Sequence, residues 1–175
     1  MRQLMCFAAA LSGTALVTAS AALLPAAGVG SAAPAPLDSP RQSGPTLVPM
    51  STAWRRCDHS VSTFPPIAGD GAAYALISRQ ANQVVADVHL STADPDTQYG
   101  VRLIQMPRSS NSYCSDHSPG TVASPLYADG AGNATITLTA DVVPGATGAW
   151  VMIEGPQTLS KPYGQMYTSD YVAAI

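Results

Sequence analysis

The sequence predicts an all-β domain: a single antiparallel Greek-key sandwich of about seven strands with one disulfide. Three observations carry this expectation. From Tyr74 onward apolar and polar residues alternate with a period near two, which puts one face of each segment in a core and the other in water. Turn-forming residues recur between these segments at the spacing of a sandwich. Lys161 is the only lysine and Glu154 the only glutamate, so the charged residues that usually cover exposed helices are nearly missing and a helical bundle is excluded.

The first candidate strand spans 72–79 and the second 83–91, where Val84, Ala86, Val88 and Leu90 alternate with Val85, Asp87 and His89. Residues 80–82 form the turn between them. Asp94-Pro95-Asp96 punctuates the chain before a third strand over 98–106, and a long loop rich in Ser and Pro follows over 107–120. The fourth strand, 122–128, contains Pro125, which has no N–H to give a ladder and so belongs at a sheet edge. Gly130-Ala131-Gly132 turns the chain into a fifth strand over 133–140, where Thr135, Thr137 and Thr139 take the polar face. Pro144-Gly145 precedes a sixth strand over 148–154, and a Gly/Pro-containing loop separates it from the last, 166–174.

The N-terminus reads as a secretory signal. Arg2 precedes an uncharged apolar run over 5–24, then Pro25 and a stretch of small residues ending at Ala32. Cleavage after Ala32 places Gly30 and Ala32 at the recognised positions and makes Ala33 the mature N-terminus. Residues 33–52, with Pro34, Pro36, Pro40, Pro45 and Pro49 among Ser, Gly and Ala, read as an extended flexible tether, and 53–175 as the folded domain. Removing 32 of 175 residues leaves 143, with no membrane span, and leaves seven basic against eleven acidic residues, a formal charge of −4. That balance argues against nucleic acid or an anionic membrane as partner. The expected setting is secreted or cell-envelope, and the expected partner an extracytoplasmic protein or a glycan.

Cys57 and Cys114 are the only cysteines after the leader, and an even pair in an exported domain predicts a disulfide. The bond closes a loop of about 58 residues, worth about 4 kcal/mol in the chain-entropy treatment. It also brings Asp58 and His59 to the end of the domain that holds Asp116 and His117, a residue set with the chemistry to ligate zinc or copper(II) if the side chains converge. Ser, His and Asp near these positions leave a small hydrolase as a third reading, although no G-x-S-x-G, H-E-x-x-H or phosphate-binding glycine loop occurs. No catalytic residue is assigned. Tyr113 beside Cys114 and Tyr163 between Pro162 and Gly164 lie in loops, and they are the aromatics expected to make exposed contacts. A non-enzymatic binding module is therefore the leading functional expectation, ahead of a metal-binding exported protein.

Residues 90–103, L-S-T-A-D-P-D-T-Q-Y-G-V-R-L, resemble the tyrosine-corner stretch of immunoglobulin-like and fibronectin-type domains. The resemblance implies an immunoglobulin-like sandwich in which Tyr99 bonds back to the upstream backbone. The leader, the Ala/Pro-rich tether and the lone disulfide together resemble small exported β proteins of actinobacteria, including mycobacteria, many without assigned activity; that likeness implies an envelope or secreted setting and transfers no functional residue.

Overall fold

The computed structural model of the chain describes residues 44–175. They form eleven strands and no helix: β1 (Thr46–Ser51), β2 (Trp54–Arg55), β3 (Val61–Ser62), β4 (Ala72–Gln80), β5 (Gln83–Ser91), β6 (Gln98–Met106), β7 (Thr121–Tyr127), β8 (Ala134–Asp141), β9 (Gly148–Glu154), β10 (Met166–Ser169) and β11 (Ala173–Ala174). All strand pairings are antiparallel. One continuous sheet runs β7-β6-β9-β10-β1-β4-β5-β8, with β11 added on β9 and β2-β3 forming a separate hairpin. Its two terminal strands, β7 and β8, lie alongside one another, so the sheet curls into a closed, sandwich- or barrel-like body. The ladder is thus a single sheet, not two separately hydrogen-bonded ones.

Alternation sets the register. Val48, Ala75, Val88 and Ile136 are successive partners across β1, β4, β5 and β8 and form one inward rung. The next residues along, Pro49, Tyr74, His89 and Thr135, form an outward rung, where Tyr74 and His89 stack with ring centroids 4.5 Å apart. The inward residues join Leu103, Val151 and Ile153 in the main core, where each fully buried aliphatic side chain contributes about 1.5–3 kcal/mol of burial energy. Pro125 lies in β7, whose only ladder partner is β6, as its missing donor requires.

Two boundaries differ from the sequence expectation. Thr46–Ser51 is not tether but strand β1, with Val48 and Met50 inward and Leu47 and Pro49 outward. Pro49 is tolerated between two neighbours because the pairing with β10 begins only at Met50, leaving no ladder bond for the proline nitrogen to miss. The final segment is broken at 170–172, so Tyr167 is buried in β10 whereas Tyr171 is 44% exposed and reaches the Leu47 carbonyl. Residues 1–32, the leader and its cleavage site, lie outside the described residues, as does the first part of the tether.

Candidate functional site

Strand β9 carries an unbroken buried run, Gly148–Ile153, because both of its faces are covered. The inner face enters the main core. On the outer face Trp150, Met152, Ile104 and Met166 form a second apolar layer under Trp54, Ile67, Met106, Cys114 and Val172. The disulfide Cys57–Cys114, with Cα atoms 5.6 Å apart, ties the segment after β2 to the 107–120 loop over this layer.

The residues beside the cysteines have separate tasks. Asp58 accepts hydrogen bonds from the Ser60 backbone at 3.0 Å and the Ser60 hydroxyl at 2.6 Å, and these hold its carboxyl below the usual range. His59 packs edge-on against Trp150, with centroids 5.1 Å apart, and its Nε2–H donates to the Ser169 carbonyl at 2.8 Å. Burial pushes this imidazole below its ordinary value, against the opposing effect of the Ser169 hydrogen bond. Asp116 accepts from Arg102 Nε at 3.2 Å, and Arg102 also pairs with Glu154. His117 is exposed. Among the described residues no three His, Cys, Asp or Glu side chains are grouped to hold a metal ion. The expected zinc or copper set of Asp58, His59, Asp116 and His117 therefore does not assemble: the disulfide brings the backbones together while Trp150, Ser169 and Arg102 draw the side chains apart.

The same loop builds one wall of a cleft of about 610 Å³, within the range of ligand pockets. The end of β6 supplies the floor and residues 143–146 the opposite wall. Each wall is pinned by one β6-proximal side chain. Gln105, 2% exposed, donates from Nε2 to the Asp141 carbonyl at 2.8 Å and accepts the Val143 N–H at 3.0 Å. Arg108 gathers the other wall, donating from Nε to the Gln105 carbonyl (2.9 Å), from Nη1 to the Tyr113 carbonyl (2.9 Å), and from Nη2 to Thr121 Oγ1 (2.9 Å) and the Pro119 carbonyl. Four of its five N–H groups are thus committed, and burial lowers the pKa of a guanidinium that remains protonated in any physiological medium. Gly120 (φ 69°) closes this wall; a Cβ there would meet Val143 Cγ2 at 3.1 Å while the backbone occupied the left-handed region. At the rim stands Tyr113, 83% exposed.

At the opposite end a polar network joins three loops to β6 and β10. Tyr99 OH accepts the Asp94 N–H at 3.1 Å, the upstream backbone bond that the tyrosine-corner resemblance implies. Tyr167 OH accepts the Gly71 N–H at 3.0 Å and donates to Gln165 Oε1 at 3.2 Å, while Gln165 Nε2 donates to Asp94 and to Tyr99 OH. Burial raises both phenol pKa values, so they act as neutral hydrogen-bonding hubs. Lys161 Nζ bridges Asp70 at 2.8 Å and Asp94 at 2.9 Å, and these partners raise its pKa well above the ordinary lysine value despite partial burial. Tyr163 is 45% exposed and meets the exposed Phe64 edge-on at 6.1 Å. Every polar member of this network is spent on another, which makes it a clasp between loops.

Sequence reasoning singled out Tyr113 and Tyr163 but passed over Gln105 and Arg108, whose partners are mostly backbone groups that no side-chain motif encodes. Being the chain's sole lysine was the one signal that pointed to Lys161. Comparison with known proteins places no label on this arrangement: no protein-family profile, curated protein or solved structure matches the chain.

Proposed function

We propose that the protein is an exported, non-enzymatic binding module that meets its partner, an extracytoplasmic protein or glycan, through the cleft between the 107–120 loop and residues 143–146. One observation carries this reading: the cleft's walls are fixed by Gln105 and Arg108, and its lining presents the exposed Tyr113 ring with the Ser109, Ser112 and Ser118 side chains. Binding needs a shaped, rigid surface with an aromatic anchor, and Tyr113 on a loop fixed by Arg108 and the disulfide supplies one. Export rests on the leader pattern ending at Ala32 and is supported by the disulfide, which persists in oxidising compartments. Among the described residues no helix is long and apolar enough to cross a membrane.

The test is site-directed photo-crosslinking in producing cells. A benzophenone side chain at position 113 is expected to capture an envelope or extracellular component, and the same group at Tyr127, also exposed but not part of the cleft's lining, is not. Equal labelling at both positions, or none at 113, would refute the assignment. Intact mass of the exported chain should correspond to a start at Ala33.

A further inference from the structure

We infer that the cleft takes a short, uncharged oligosaccharide, an inference that rests on the binding-module reading above. The charge balance of the site comes first. Arg108 is the only ion among the lining residues, and its donors are turned inward onto the Gln105, Tyr113 and Pro119 carbonyls and Thr121 Oγ1. An anionic ligand would find four of that cation's five N–H groups already committed, and a cationic one no carboxylate.

Part of the walls' backbone is committed as well. Gln105 N–H donates to the Gly120 carbonyl at 2.8 Å, Thr147 N–H to Met106 at 2.8 Å, and Ala146 N–H to Val143 at 3.0 Å. An extended peptide adding itself by main-chain hydrogen bonds needs free backbone partners of the kind these bonds have consumed. What the lining offers is hydroxyl groups and one aromatic face. Ser109 and Ser112 lie 3.0 Å apart through their Oγ atoms, and a hydroxyl in such a pair keeps acceptor capacity for a further donor. Ser118 adds a third hydroxyl to the lining. Sugars present hydroxyls that both donate and accept, together with axial C–H faces that stack on an aromatic ring. Tyr113, 83% exposed at the rim, supplies the ring, on a backbone that Arg108 fixes through the residue's carbonyl.

The experiment is a ¹⁵N NMR titration of the purified chain with three separate probes: maltotriose or tri-N-acetylglucosamine as neutral saccharides, trigalacturonate as an anionic one, and a proline-rich decapeptide. Saturable shifts confined to amides of 107–120 and 143–146 with a neutral trisaccharide, unchanged between 50 and 500 mM salt, are expected. Tyr113→Ala should weaken that binding at least tenfold and Tyr113→Phe should preserve it; neither touches the fold, because Arg108 bonds the backbone carbonyl of residue 113 and not its ring. Preference for the anionic sugar or the peptide at these amides would overturn the neutral-saccharide inference while leaving a binding module in place. Silence of these amides with all three probes, together with no crosslinking from position 113, would overturn both.

Discussion

Arg108→Met removes the guanidinium while keeping an apolar stem of similar length, and it isolates what holds the cleft wall. Four hydrogen bonds are lost. The Tyr113 and Pro119 carbonyls are exposed and regain water, so their loss costs about 0.5 kcal/mol each. The Gln105 carbonyl and Thr121 Oγ1 are partly buried, and stranding them costs about 1 kcal/mol apiece or somewhat more. The sum is about 3 kcal/mol, which in a domain of this size lowers Tm by about 10 °C. Calorimetry reads the total, and amide hydrogen exchange reads where it falls: protection should drop at 107–121 while β4, β5 and β8 keep theirs. Arg108→Lys, with a single nitrogen that cannot span four acceptors, should lie between variant and parent. A Tm within 2 °C of the parent, or a loss of protection spread evenly over all strands, would refute the idea that this side chain organises the wall.

Replacing Cys57 and Cys114 by Ser should cost about 4 kcal/mol, the closure entropy of a loop of about 58 residues, and non-reducing peptide mapping of the parent should recover one linked pair. Lys161→Met should cost about 1 kcal/mol at neutral pH, since both carboxylate partners are partly solvated. Because the folded lysine pKa is raised, that contribution is complete below the ordinary value of 10.5 and fades as pH climbs through the folded value, so chemical denaturation of parent and variant should converge only in strong alkali. His59 has the opposite dependence. Its folded pKa is depressed by burial, so stability is complete above 6.5 and declines as pH falls from there toward the folded value. His59→Asn, which tolerates the left-handed backbone (φ 66°), should flatten Tm between pH 7.5 and 5; an unchanged slope would show that the ring is not the titrating group.

Strands β4 through β9 were legible because alternation and turns agree: Val84 to Leu90 and Ala134 to Ala140 each declare one wet and one dry face. β1 was hidden because Pro49 lies within it and Pro45 directly before it, and only the register with β10 explains why a proline is harmless there. The disulfide was readable from cysteine count alone, whereas the metal set was not excluded by it. Neighbouring sequence positions fix where backbones go, but the direction of His59 depends on Trp150 and Ser169, more than ninety residues away. Tyr113 was visible as a loop aromatic; the cleft beneath it was not, since Gln105 and Arg108 work mostly through main-chain groups.

Strand β1 also decides when the domain can exist. It is the first strand of the described chain, yet it sits in the middle of the sheet, with Met50 opposite Ser169. Strand β1 can pair with β4 early, but the seam between β1 and β9 stays open until β10 arrives to fill it. Until then the sheet has two unfinished edges and no closed interior. Such wiring makes closure of the sheet wait for Met166–Ser169, a pairing of high sequence separation that is slow to form. It also makes the last ten residues indispensable: trimming them would leave an open sheet prone to pair with its own copies, not a slightly shorter version of the same molecule.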